Sequence, residues 1–345
     1  MDISAINHKN CHGLLLIMYI ILTGSSIQAQ TPWFKMDTIT VLESNGRAVW
    51  NPWAGGLNAM QFSKMKLNED AVEDLVVFDR TNSKVTTFLA VPKQAGSSEM
   101  VFKHAPYYET VFPKFDNWMI LADYDLDGYK DLFVSTSLGL TVYRQSRDAG
   151  MPVFSLIREA LYTKGFSGPL NLQISGPDIP GIVDIDDDGD LDILTFDFSG
   201  NYIELHQNLS MERFGVPDSL GTSKLPVFAR NGDCWGNFHK GSSEGFEFGG
   251  DCGVTKLDGA KVLHAGNSIL LQDINGDGFK DLLVGHVSNN HISVLYNSAP
   301  GIVANFTSFT HEYPKTSPIV FNIFPAVFYE DLDFDGIKDL VASPS

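Results

Sequence analysis

Four stretches of this chain repeat one pattern of side chains suited to holding a hard cation. DYDLDGYKDLFV begins at Asp123, DIDDDGDLDILT at Asp184, DINGDGFKDLLV at Asp273 and DLDFDGIKDLVA at Asp331. Each sets an acidic or amide oxygen at positions 1, 3, 5 and 9. These are Asp123, Asp125, Asp127 and Asp131 in the first copy, and Asp184, Asp186, Asp188 and Asp192 in the second. The third has Asp273, Asn275, Asp277 and Asp281, and the fourth Asp331, Asp333, Asp335 and Asp339. Alternate side chains in a tight loop turn inward onto one point, and a cluster of about six to eight oxygens is the coordination Ca²⁺ takes. Gly128, Gly189, Gly278 and Gly336 at position 6 permit the positive φ of a sharp reversal. A backbone carbonyl at position 7 and water complete the shell.

An EF-hand opens in the same way but needs a bidentate Glu at position 12 and a helix on each side. Position 12 here is Val134, Thr195, Val284 and Ala342, none of which ligates in that manner. After position 9 comes a short apolar run such as Leu132-Phe133-Val134 or Leu282-Leu283-Val284. Runs of that length and composition are strands. A polar turn and a second, alternating strand come next: Lys84–Phe88, Leu140–Tyr143, Tyr202–His206 and His291–Tyr296. Hairpins of this kind fit blades packed between neighbours, so the spacing predicts an all-β fold, a β-propeller.

The four loops resemble those of the FG-GAP/VCBS repeat family, whose propeller blades carry a calcium loop in a hairpin. The resemblance rests on D-x-[DN]-x-D-G-x-x-D-[LI] and runs from about Asn51 to the last residue. It implies Ca²⁺ at the sixteen positions named above. A degenerate fifth copy, Lys66 to Leu75, keeps Asn68, Asp70 and Asp74 but has Lys66 at position 1 and Ala71 at position 6. It is expected to keep the fold and to lose the metal.

From one position 1 to the next the intervals are 57, 61, 89 and 58 residues, so the third is longer by about 30. The extra material falls in about 207–262 and contains Cys234 and Cys252. Loops of that length are usually functional or disordered, and a disulfide would argue for order. Outside the cytoplasm two cysteines favour a disulfide, closing a loop of about 19 residues and contributing roughly 3 kcal/mol. Free thiols are the alternative, and a zinc site with His239 and His264 matches no familiar spacing. Trp235, Phe238 and Phe246 there are candidates for a platform under a sugar ring or a peptide, or else the small core of the insertion. Trp50 and Trp53, ahead of the first repeat, are expected to pack against a blade.

Residues 1–29 read as a signal peptide: a weakly basic start at Lys9, an apolar stretch from Leu14 to Leu22, and Ile27-Gln28-Ala29 before Gln30. Residues 30–345 are then the propeller, exported and secreted or held at the cell surface, with no further span. The formal charge of −18 argues against nucleic acid or an anionic membrane as partner. Four Ca²⁺ would neutralise 8 of those charges. The fifth loop is followed by one strand only, so how the ring closes is open.

No H-E-x-x-H or G-x-S-x-G motif is present, and the clustered carboxylates are accounted for by metal. The expectation is a calcium-binding scaffold, not an enzyme, for a protein or carbohydrate ligand. The alternatives are a carbohydrate-active enzyme like some polysaccharide lyases, and a remnant of a longer surface protein.

Overall fold

The apolar run after each loop becomes the second strand of an antiparallel blade. The computed structural model describes residues 40–345 other than 56, 166, 218–227, 231–233, 242–244 and 250–265. The signal-peptide reading and Cys252 therefore lie outside the described residues. The chain divides into residues 1–49 and 50–345. In the first unit a short hairpin pairs Leu42 with Ala48, and the Val49 amide donates to the Val41 carbonyl at 2.8 Å.

Among its described residues the second unit is nearly all β, with four four-stranded blades in a propeller arrangement. Blade 1 is β1 (Met60–Met65), β2 (Asp74–Asp79), β3 (Lys84–Pro92) and β4 (Met100–His104). Blade 2 is β5 (Asp116–Ala122), β6 (Asp131–Thr136), β7 (Gly139–Asp148) and β8 (Met151–Arg158). A two-stranded excursion, β9 (Tyr162–Lys164) and β10 (Pro169–Asn171), leads to blade 3. Blade 3 is β11 (Gly181–Val183), β12 (Asp192–Phe196), β13 (Ile203–Asn208) and β14 (Phe228–Arg230). Helix α1 (Ser210–Phe214) lies between its last two strands. Hairpin β15 (Phe238–Lys240) and β16 (Phe246–Phe248) precedes blade 4: β17 (Asn267–Gln272), β18 (Asp281–His286), β19 (Ser293–Asn297) and β20 (Phe306–Thr310). A final hairpin, β21 (Pro325–Glu330) and β22 (Asp339–Pro344), carries the fourth acidic loop.

Every residue of β2, β12 and β18 is buried, because a second strand has a blade on each face. First strands run along the axis. Segments of β1, β5, β11, β17 and β21 together line a cavity of about 300 Å³. The last hairpin thus takes a fifth place in the ring with two strands in place of four, and β21 packs against β1, β17 and β18. The Met60 amide donates to Ser343 Oγ at 3.0 Å and Lys64 Nζ to the Asp331 carbonyl at 2.7 Å. Arg80 joins four parts of the ring. Its Nε donates to Asn117 O at 2.6 Å, its Nη2 to Pro177 O at 2.9 Å and its Nη1 to Ser345 Oγ, while the guanidinium lies 5.6 Å from the Phe324 ring.

The aromatic residues of the long interval are not a platform. Trp235, Phe238 and Phe246 are 4 %, 0 % and 8 % exposed and share a core cluster with Phe306, Leu282 and Leu205. Burying three large rings between blades 3 and 4 removes more apolar surface from water than an open face could, and that burial decided their place. Part of the same interval is the fourth strand of blade 3. Trp50 and Trp53, expected to pack, are 55 % and 39 % exposed, and Trp50 Nε1 donates to the Phe102 carbonyl at 2.9 Å.

Candidate metal centre

Each acidic loop is built from position 1 outward. Asp123 accepts the amides of Asp127 (3.1 Å) and Gly128 (2.9 Å), and Asp184 those of Asp188 (3.2 Å) and Gly189 (3.0 Å). Asp273 takes Gly276 and Gly278 at 2.7 and 2.9 Å, and Asp331 takes Phe334 and Gly336 at 2.8 and 3.3 Å. Position 5 folds onto position 7 in the same way, Asp127 Oδ1 accepting the Tyr129 amide at 2.8 Å and Asp335 Oδ1 the Ile337 amide at 2.7 Å. Gly128, Gly189, Gly278 and Gly336 have φ of 87°, 101°, 90° and 85°. A Cβ at Gly128, Gly278 or Gly336 would meet nothing within 4 Å, so the glycine serves the backbone and not the space. Position 4 is left-handed too, in Leu126, Asp187, Gly276 and Phe334, a second requirement that the residue types did not announce.

Position 9 has a further task. Asp131 accepts the amides of Tyr124 (3.0 Å) and Gln145 (2.7 Å), Asp192 those of Ile185 (3.0 Å) and Asn208 (2.7 Å), and Asp281 those of Ile274 (3.1 Å) and Asn297 (2.8 Å). Asp339 accepts Leu332 at 2.9 Å. In blades 2, 3 and 4 this carboxylate fastens the loop to the third strand from inside the blade, and in the last hairpin it holds the loop alone.

The donors converge in three loops. One carboxylate oxygen from each of Asp123, Asp125 and Asp127 lies within 4.8 Å of the others, as do those of Asp184, Asp186 and Asp192, and of Asp331, Asp333 and Asp339. In the loop from Asp273 the third position is an amide, and Asn275 Nδ2 donates to Asp277 Oδ2 at 2.9 Å. A fourth grouping, Asp186, Asp188 and Glu212, brings in a residue of α1 that the repeat pattern does not contain.

Burial opposes the charge of five of these groups. It pushes Asp131 up to about 7 and Asp192 to about 8, and raises Asp281, Asp123 and Asp186. Asp273 differs, held below the usual range by the Gly278 amide. An all-oxygen set of carboxylates crowded together and partly desolvated is the donor chemistry of Ca²⁺, whose charge would restore the ionised forms. At the repeat's ligand positions two buried oxygens, Asp186 Oδ1 and Asp188 Oδ2, have no hydrogen-bond donor, as a metal ligand would not. The residues fit the ion.

The degenerate loop keeps the fold contacts alone. Asp74 accepts the Leu67 and Ala90 amides, both at 2.8 Å, while Lys66 and Leu67 offer their carbonyls to the Arg147 guanidinium. Arg147 supplies a fixed cation beside the loop that lacks an aspartate at position 1. Of the predicted disulfide, Cys234 is half-buried with Sγ 3.0 Å from the Phe238 carbonyl oxygen, and its partner lies outside the described residues.

A second concave feature lies between blades 2 and 3, away from the acidic loops. It has a volume of about 890 Å³ and is lined by the β6–β7 turn, the β9–β10 excursion and the β12–β13 turn. Asn117, Ser137, Asn171 and Gln173 contribute polar groups, and Phe198 stands 96 % exposed at its edge. No element of the repeat pattern signalled it.

No curated protein matches the chain. A solved structure of an Agrocybe aegerita lectin, described by its specific recognition of non-reducing terminal N-acetylglucosamine, is 14 % identical, with 83 % of this chain and 74 % of that one covered and a TM-score of 0.36. The Photorhabdus luminescens Tc holotoxin pore is 13 % identical with a TM-score of 0.34, covering 87 % of this chain and 15 % of its own. At those TM-scores neither likeness bears on arrangement or ligand. The family model described as FG-GAP-like repeat matches residues 273–342, the stretch from the acidic loop of blade 4 to that of the last hairpin. The chain thus carries an FG-GAP-like repeat within a β-propeller arrangement of blades built to one pattern.

Proposed function

We propose that this chain is an exported, calcium-binding propeller that serves as a non-enzymatic binding or adhesion scaffold for a protein or carbohydrate ligand outside the cell. The four acidic loops hold Ca²⁺ through the aspartates named above, with Asn275 as the one amide. The ions are structural: each ties the turn between first and second strands to the blade and offsets clustered negative charge. No helix among the described residues is long and apolar enough to cross a membrane.

The observation that carries the binding role is the groove between blades 2 and 3. Its volume is in the range of small-ligand sites, and its lining mixes amides, hydroxyls and an exposed ring with ionisable side chains such as Lys164, Asp197 and Glu204. Amides and hydroxyls meet the donors and acceptors of a sugar or a peptide backbone, and Phe198 offers a face for stacking. Binding of the calcium-loaded full chain to an array of glycans and extracellular matrix proteins is the test. A ligand lost in Phe198→Ala and Asn171→Ala, with melting temperature unchanged, supports the reading. A ligand retained by both variants, or turned over chemically, overturns it.

A further inference from the structure

We propose that blade 3 holds a second divalent cation, bound by Asp186, Asp188 and Glu212 beside the ion of its loop. The inference goes beyond the repeat pattern and leans on the proposed loop ions only for what lies next to the new site.

Two carboxylate triads share Asp186. Asp184, Asp186 and Asp192 form one, and Asp186, Asp188 and Glu212 the other. Such a bridging carboxylate is how two ions are held a few Å apart. Gln207 braces the second triad from outside, its Nε2 donating to Asp186 Oδ2 at 2.8 Å and to Glu212 Oε1 at 3.0 Å.

Asp190 is the independent sign of a ligand. At position 7 the other complete loops carry Tyr129, Phe279 and Ile337, and blade 3 alone has a carboxylate. Asp190 is 1 % exposed, and one of its oxygens accepts the Met211 amide at 2.9 Å. The other, Oδ1, is buried without any donor, and its neighbouring charges are Asp188, Glu212 and Asp186. Among the described residues the aspartate oxygens left in that state are those of Asp186, Asp188 and Asp190, all in this one loop. A buried carboxylate oxygen without a donor is costly unless a cation faces it.

Blade 2 shows how the fold otherwise manages such charge. By strand register, with Leu132 opposite Tyr143 and Ile193 opposite His206, Arg144 stands where Gln207 stands in blade 3. Arg144 Nε lies 2.9 Å from Asp125 Oδ2 and supplies a positive charge. Blade 3 replaces that guanidinium with a neutral amide and then adds Asp190 and Glu212. Its six carboxylates, those of Asp184, Asp186, Asp188, Asp190, Asp192 and Glu212, exceed what one dication and the neighbouring Arg213 balance.

The test is the number of Ca²⁺ ions bound by the full chain in native mass spectrometry, with Tb³⁺ luminescence titration as a second readout. Glu212 is exposed, and Gln at this position keeps an oxygen for Gln207, so Glu212→Gln should melt as the wild type does without calcium. The wild type is expected to carry one ion more than Glu212→Gln. Equal counts overturn the second site. Equal counts with weaker binding in the variant also overturn it, by making Glu212 a ligand of the loop ion. A wild type that binds no cation overturns this inference together with the reading of the loops.

Discussion

Asp74 Oδ1 accepts the Ala90 amide at 2.8 Å across blade 1, the same bond that Asp131 makes to Gln145 and Asp192 to Asn208 at 2.7 Å. The ninth position is therefore kept even in the loop whose first position is lysine, because it closes a blade whether or not an ion is nearby.

Asp74→Ala leaves two buried amides without acceptors, each worth about 1–3 kcal/mol. The expected loss is about 2–6 kcal/mol in urea unfolding, equal with and without calcium. Asp70→Ala, on an exposed loop side chain, should fall within about 0.5 kcal/mol. A loss for Asp74→Ala that appears only in calcium would contradict the structural role.

Calcium should raise the melting temperature strongly. At a free concentration about ten times Kd each site adds about 1.4 kcal/mol, so four loops add about 6 kcal/mol, comparable with the net stability of a domain. Scanning calorimetry with calcium and with a chelator measures it, and Asp125→Ala or Asp333→Ala should each remove about a quarter of the gain. An unchanged melting temperature on chelation would sink the structural role of the ions.

Without metal the pH profile has a definite sign. Asp131 and Asp190 sit at about 7 and Asp192 at about 8, raised by burial from 3.8. The folded state thus holds protons that the unfolded chain releases, and the stability from these groups is complete below pH about 4 and lost as pH rises through about 7 to 8. Cation-free protein should melt lower at pH about 8.5 than at pH about 5.5, and saturating calcium should flatten or reverse that slope. A cation-free melting temperature that rises across the interval would refute the assignment.

Ring closure rests on close approach at Gly285, where a Cβ would collide with the Pro325 carbonyl oxygen. Gly285→Ala must push β21 from β18 and should cost about 1–3 kcal/mol. A Cβ at Gly55 would meet nothing within 4 Å, and Gly55→Ala is the matched control. Equal melting temperatures for the two variants would mean the last hairpin is not packed in the ring.

The periodic parts of the fold were readable because they are local. Loop residues 1, 3, 5, 6 and 9 and the strand after them lie within about a dozen consecutive residues, so their chemistry and their apolar run appear together in the sequence. First strands such as β11, three residues long, gave no such signal, since their place along the axis is set by neighbours from other blades. Glu212 was invisible for the same reason: it reaches Asp186 from a helix beyond two further strands. Trp235, Phe238 and Phe246 show the limit most directly, because an aromatic cluster has the same composition whether it faces solvent or a core.

Sequence alone determined the repeat, the sets of acidic donors in its loops and the all-β class, because spacing within one turn fixes which oxygens can meet. Tertiary structure decided which aromatics are buried, that a two-stranded hairpin fills the fifth place in the ring, and where Glu212 and the groove lie. Those depend on surfaces brought together from distant parts of the chain, where burial and close packing, not local spacing, set the outcome.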